Sequence, residues 1–291
     1  MKEMQNTIAG EVSYSGIALH TGVRVRMTMK PAEADTGVVF IRTDLPGRPC
    51  VRAHASHVVD VRRATTIADP ATKAYVVLVE HIMASLHALQ IDNVIIEMNS
   101  AEPPIGDGSA VPFCKMIRSA GIRPLEKEAR YWCAKEIVTY KSGTTTMVVM
   151  PHDTFRISAT VEFADSMLGT QFMELDITPE SFEKELAPCR TFASFSDLKQ
   201  LMAAGLARGG SLDNANIMHN GAIISNGGLR FPNELVRHKT MDMVGDLYLT
   251  GKRLKAHVVA IRSGHPSNVE TVRRMLLSTG ELPQGSIQEK K

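Results

Sequence analysis

Short runs in which apolar and polar positions alternate open the chain, and the period then lengthens to that of a helix. Residues 7–15, 23–30 and 37–42 read as strands, punctuated by Gly16, Gly22, Pro31 and Gly37. From 76 to 89 the positions Val77, Leu78, His81, Ile82, Ser85 and Leu89 share one face at helical spacing, which predicts a helix. An apolar strand is expected at 93–98. A second helix is expected at 111–119, capped by Ser109 after an Asp107-Gly108 turn and stopped by Gly121. A sheet with two helices is already a complete α+β layer.

The charged stretch 122–130 contains a proline, has no period, and reads as an interdomain linker. Beyond it the same logic returns without the same sequence. Strands are expected at 131–140, 144–150, 156–161 and 171–177. A helix should start at Thr178 with Pro179 in its first position, and another, capped by Ser196, should cover 197–204 and close at Gly205. The longest helical pattern covers 233–250 and ends at Gly251. A strand at 255–261 follows, and Ser267-Asn-Val-Glu270 reads as a capping box before the last helix. The polar tail 284–291 reads as a frayed end. The pattern implies two similar α+β domains, 1–126 and 127–291.

Composition narrows the class. A prior of roughly 150 residues per domain makes 291 residues two domains. Hydrophobic residues at 44% supply enough apolar area for a packed core, which excludes disorder as the main state. Lys and Arg total 33 against 31 Asp and Glu, and a net charge of +2 argues against a nucleic-acid or polybasic membrane partner. Cys50, Cys114, Cys133 and Cys189 lie far apart, so neither a thiolate zinc knuckle nor a disulfide framework is indicated. No segment approaches the ~20 apolar residues of a membrane span, and the first residues lack a signal peptide's apolar block. A cytoplasmic enzyme is expected.

Three stretches could do chemistry. In His238-Lys-Thr-Met-Asp242-Met-Val-Gly-Asp246, residues four apart share a helix face, so His238 and Asp242 suit zinc as two ligands of a tetrahedral site. Glu80-His81 opens the first long helix, where a ligand imidazole beside a carboxylate fits a zinc hydrolase. The ligand holds the metal and the carboxylate takes the proton from the water there. His265 sits on a Gly-containing turn between a strand and a helix, suited to an acid, a base or a ligand. Each has a plainer reading alone: a surface i,i+4 ion pair, a half-buried histidine beside a helix-start Glu, and a helix cap. The clusters Gly209-Gly210 and Gly227-Gly228 lack phosphate-loop spacing and read as turns.

Taken in order, the stretches SGIALHTG (15–22), VEHIMASLHALQIDNVIIE (79–97), PPIGDGSAVPF (103–113), RTF (190–192), GGSLDNA (209–215), GLRFPNELVRHKTMDMVGDL (228–247) and SGHPSN (263–268) resemble one family over nearly the whole chain. It is the zinc-dependent UDP-3-O-acyl-N-acetylglucosamine deacetylase family of lipid A biosynthesis in Gram-negative bacteria. The resemblance implies that His81, His238 and Asp242 bind Zn²⁺ and that Glu80 is the general base. It implies that His265, oriented by Asp246, stabilises the oxyanion and protonates the leaving amine. Thr191 matches a residue that bonds the oxyanion, Lys239 one that contacts substrate, and Phe192 one that lines the sugar site. Leu19, Ala207, Ser211 and Leu212 match a passage for the acyl chain. The implied fold packs two α+β domains, each a mainly antiparallel sheet with two helices, helix layer to helix layer with the site between them. A monomer in the cytoplasm is expected. Arg208, and Arg62-Arg63-Ala64, are more basic than the family pattern near the acyl or nucleotide region. Two other classes stay open: a zinc amidohydrolase of this fold acting on another N-acylated amino sugar, and a binding protein that has lost catalysis.

Overall fold

The computed structural model describes residues 2–163 and 168–283, so the expected frayed tail at 284–291 lies outside the described residues. The first half runs β1 (Met4–Ile8), β2 (Val12–Ile17), β3 (Arg24–Pro31), β4 (Val38–Arg42), β5 (Cys50–Arg52), β6 (Val58–Asp60), β7 (Thr66–Ala68), β8 (Tyr75–Val76), α1 (Glu80–Ala88), β9 (Val94–Met98), α2 (Val111–Ala120) and β10 (Ile122–Glu128). The second half begins with five strands, β11 (Tyr131–Cys133), β12 (Val138–Ser142), β13 (Thr145–Pro151), β14 (Phe155–Glu162) and β15 (Thr170–Asp176). It continues through α3 (Pro179–Ser181), β16 (Phe192–Ser194), α4 (Phe195–Ala203), β17 (Asn216–His219), β18 (Ala222–Ile224), α5 (Glu234–Leu247), β19 (Arg253–Ile261) and α6 (His265–Ser278).

The two main sheets share one strand order. The first is β2-β3-β9-β4-β5 and the second β12-β13-β19-β14-β15, with β11 added beside β19. In each, the central strand is antiparallel to one neighbour and parallel to the other. That strand lies in sequence between the two principal helices, α1 and α2 or α5 and α6. Each half carries a three-stranded insert between its fourth sheet strand in sequence and its first long helix: β6-β7-β8, and β16-β17-β18 with α4. This is the expected α+β class, built twice.

Helix packs on helix where the halves meet. A Cβ on Gly245 of α5 would lie 2.0 Å from the Glu80 carbonyl oxygen and 2.9 Å from the Ala84 nitrogen, so α1 and α5 cross backbone to backbone. His87 of α1 is buried and stacks on Tyr248 and Phe155 from the second half. Its Nδ1–H donates to the Val244 carbonyl at 2.9 Å, and burial pushes its pKa down to about 4, so it is a neutral ring in the core. Arg253, buried at the start of β19, reaches back to Asp92 at 2.7 Å and to the Met4 and Gln90 carbonyls.

Several expectations shift, each for a local reason. The strand expected at 7–15 is two, β1 and β2, because the Ala9 and Gly10 amides turn aside to the carbonyls of Gly121 and Ala120. The helix expected from 76 starts at Glu80: Leu78 has φ +61°, and the Val77 amide bonds the Ala101 carbonyl instead of a helix partner. The stretch 122–130 is mostly strand, since β10 pairs antiparallel with β1. Only Leu125 of it is fully buried, so the ribbon left no apolar period to read. The strand expected at 131–140 divides into β11 and β12. Ser194, not Ser196, caps α4, its hydroxyl accepting from the Asp197 amide at 3.0 Å. Ser109 serves α2 from outside the helix, accepting the Val111 amide at 3.2 Å. The helix after Thr178 is one capped turn that widens over Phe182–Leu186. The last helix starts at His265, with Ser267 inside its first turn accepting the Gly264 amide.

Candidate metal centre and active site

The crossing of α1 and α5 places His81 opposite His238 and Asp242. Nε2 of His81 and Nε2 of His238 each lie 3.4 Å from Asp242 Oδ1, and the rings meet edge to face at 5.1 Å. The three donor atoms all lie within 4.8 Å of one another. Asp242 Oδ1 is buried and receives no hydrogen bond among the described residues. An unprotonated carboxylate oxygen is costly to bury in that state, and a cation held between the three side chains would satisfy it. Two imidazoles and a carboxylate are a zinc donor set. With bonds of about 2.0–2.1 Å, the ligand atoms of a tetrahedral zinc stand about 3.3 Å apart. The residues therefore fit the metal.

Their protonation suits the task. His238 Nδ1–H donates to the Cys189 carbonyl at 3.1 Å, which leaves the Nε2 lone pair facing Asp242. Burial, outweighing the pull of Asp242, pushes the His238 pKa down to about 4, so the ring is neutral. Burial opposes ionisation of Asp242, but His238 and His81 beside it hold its carboxyl well below the usual range.

Beside this cluster stands an acid–base pair. Glu80 is buried, and burial pushes its pKa up to about 7 against the opposing pull of His265 and His81. Its Oε2 accepts the Thr65 amide at 3.1 Å, while Oε1 lies 3.7 Å from His265 Nε2. His265 Nδ1–H donates to Asp246 Oδ2 at 2.8 Å. Burial disfavours its imidazolium, but Asp246, Glu80 and Asp242 outweigh burial and push the pKa up to about 10. Asp246 also accepts from Thr65 Oγ1 at 2.6 Å and Asn268 Nδ2 at 2.9 Å. A base near neutrality facing a cationic acid is an arrangement for moving a proton between two partners.

A cavity of about 420 Å³ opens onto these groups. Its lining includes Glu80, His81, His238, Asp242, His265, Thr191, Phe192, Lys239, Leu19, Ala207, Ser211 and Leu212. Every residue singled out from the sequence is thus brought together except Asp246, which sits behind His265. The lining also includes Leu198, Leu201, Met202 and Ile217 from the second insert. Phe192 lies edge-on to His238 at 5.8 Å, and Lys239 Nζ donates to the Ser263 carbonyl at 3.3 Å. The Thr191 amide bonds the Gly108 carbonyl at 2.8 Å. A Cβ on Gly108 would come 1.8 Å from the Asn214 oxygen, so this close approach needs glycine. Arg208 is exposed and outside the lining. Arg62 pairs with Asp60, whereas Arg63 lines the cavity and pairs with Asp197 at 3.2 Å, both half-exposed. Sequence reasoning passed over Thr65, which has no local motif, and Asn268, whose one available signal was its place three residues after His265 on the same helix face.

Comparison with known proteins identifies the family. Residues 5–277 match the family model of LpxC, the UDP-3-O-acyl N-acetylglycosamine deacetylase. A Chlamydia caviae protein named UDP-3-O-acyl-N-acetylglucosamine deacetylase is 42% identical over 95% of this chain and 98% of its own length. Proteins of the same name from Citrifermentans bemidjiense and Myxococcus xanthus are 41% and 39% identical, each over 94% of this chain and over 88% and 86% of their own lengths. A match of this extent, on a chain that gathers such a site between two α+β halves, makes it a member of the UDP-3-O-acyl N-acetylglycosamine deacetylase family.

Proposed function

We propose that the chain is a zinc-dependent amidohydrolase that removes acetate from the N-acetyl group of UDP-3-O-acyl-N-acetylglucosamine, the committed step of lipid A biosynthesis. One observation carries the reading: a three-donor metal cluster and an opposed carboxylate and imidazole line one cavity together with apolar side chains such as Leu19, Leu198, Leu201 and Ile217. Held by His81, His238 and Asp242, zinc would polarise the amide carbonyl and acidify water.

The chain's own groups do the rest. Glu80 keeps Oε2 on the Thr65 amide, so Oε1 is the atom that accepts the proton of the attacking water. His265, cationic and fixed by Asp246 through Nδ1, presents Nε2–H to the departing nitrogen, and its charge favours the oxygen on which negative charge develops. The Thr191 hydroxyl donates to that oxygen, Lys239 contacts the substrate, and Phe192 lines its sugar. Leu19, Ala207, Ser211 and Leu212 border the acyl passage. We take the two units as 1–126 and 127–291. No helix among the described residues is long and apolar enough to cross a membrane. We place the protein in the cytoplasm as a monomer.

Zinc quantification with measurement of acetate release tests the assignment. One zinc per chain is expected, and His81→Ala should lose most of the metal and the activity with it. Full metal and full rate in that variant would remove His81 from the ligand set. Activity should also depend on the acyl chain although the amide is the bond cut, because remote binding energy orients the reacting centre. UDP-N-acetylglucosamine lacking the acyl chain should therefore lose kcat as well as affinity. Equal kcat/KM on the two compounds would defeat the substrate assignment.

A further inference from the structure

Thr65 is fully buried and is not among the residues lining the cavity, yet it bonds both sides of the acid–base pair. Its amide donates to Glu80 Oε2 at 3.1 Å. Its hydroxyl donates to Asp246 Oδ1 at 2.6 Å and lies 3.3 Å from His265 Nδ1. Its carbonyl accepts the amide of Val79, the residue before α1, at 3.4 Å. One residue of the first insert is thus tied to the start of α1 and to the last turn of α5.

We infer that Thr65 is a positioning residue that couples the base to the acid. The inference rests on the roles proposed above for Glu80 and His265. Asp246 is buried and takes three side-chain hydrogen bonds, two on Oδ2 from His265 and Asn268 and one on Oδ1 from Thr65. The first two hold one oxygen and the third holds the opposite one, so the plane in which Oδ2 meets His265 Nδ1 is braced from both sides. At the same time the Thr65 amide occupies Glu80 Oε2 and leaves Oε1 turned toward His265. Base and acid therefore keep their separation because one short loop holds both.

The loop is built for this. It closes the β6–β7 hairpin, in which Asp60 pairs with Thr66. Arg63 stands in the left-handed region at φ +67°, a conformation that non-glycine residues enter only where the surroundings demand it. The turn sends the Arg63 side chain outward to Asp197 and brings Ala64 and Thr65 inward. A β-branched side chain has few rotamers to choose from, which suits a hydroxyl that must stay on one acceptor.

The test compares Thr65→Val, Thr65→Ser and Asp246→Asn, and the Val and Asn changes combined, in the zinc-loaded full chain. Measured for each are metal content, kcat, KM, and the NMR signal of the hydrogen-bonded His265 Nδ1–H. Thr65→Val keeps the amide and removes the hydroxyl. Its kcat should fall about 10–100-fold, the usual cost of losing such an outer partner. Zinc should stay bound, KM should stay near the parent value, and the Nδ1–H signal should shift or vanish. Thr65→Ser should restore most of the rate. If Thr65 acts through Asp246, adding Thr65→Val to Asp246→Asn should cost less than about twofold more. Should Thr65→Val fail to fold, Thr65→Ala takes its place in each comparison. Full kcat in the hydroxyl-free variant, a loss confined to KM, failure of Ser to rescue, or an undiminished loss in the Asp246→Asn background would each overturn the inference. Asp246→Asn at full rate would instead overturn the acid–base reading beneath it.

Discussion

Glu80→Gln is expected to lower kcat/KM by about 10²–10⁴ while leaving zinc bound, the range for a positioned proton-transfer group. Glutamine fills the same space and can still accept the Thr65 amide, but it cannot take a proton. The pH profile separates the partners. A base must be deprotonated, so activity should fall as pH drops through the Glu80 pKa, which burial places at about 7 without the metal. The acid must be protonated, so activity should fall again as pH rises through that of His265, about 10 without the metal. A bound cation favours the carboxylate and disfavours the imidazolium, so it moves both limbs of the bell downward. The limbs belong to the coupled set rather than to single residues. A Glu80→Gln enzyme within about threefold of the parent would end its assignment as the base.

Gly245→Ala should force apart the two helices that carry the site. The added carbon would lie 2.0 Å from the Glu80 carbonyl oxygen, 2.8 Å from its carbon and 2.9 Å from the Ala84 nitrogen. All three are backbone atoms, so no side chain can swing away; α1 and α5 must separate. Overpacking of this kind costs roughly 1–3 kcal/mol, and at about 2–4 °C per kcal/mol for a chain of this size class the melting temperature should fall by several degrees. The larger effect is on chemistry, because the contact lies at the turn that presents Glu80 and His81. A displacement of about 1 Å at a reacting group can cost about 10²-fold in rate. Thermal unfolding and kcat/KM measured together check both, and parent-like values in the two would show that the helices have room to part.

Local patterns were legible where they encode local geometry. His238 and Asp242 could be paired from spacing alone, since one turn of α5 sets their relation. His81 could not be added to them by spacing, because it comes from another helix 157 residues earlier; the family resemblance placed it. Thr65 shows the same limit more severely. It reaches Glu80 across 15 residues and Asp246 across 181, and nothing in Arg62-Arg63-Ala64-Thr65 announces either contact. β10 was hidden for a different reason. A two-stranded ribbon buries so little that its residues alternate in charge and proline rather than in hydrophobicity. Leu78 looked helical by its apolar side chain, yet its backbone had turned the other way, and such a turn depends on what the flanking amides find to bond.

Two units of one strand order, each interrupted at the same point, meet across a seam whose two sides are unlike. A pair of identical units related by symmetry presents its side chains in even numbers. A catalytic zinc wants an odd set, three protein ligands and one position left open. Within one chain the two units differ where they meet: Glu80 and His81 come from the first, and His238, Asp242 and His265 from the second. The inserts differ in the same way: the three-stranded first insert holds Thr65 against Asp246, while the second lends the cavity Leu198, Leu201 and Ile217. The seam where α1 crosses α5 is therefore chemically different on its two sides.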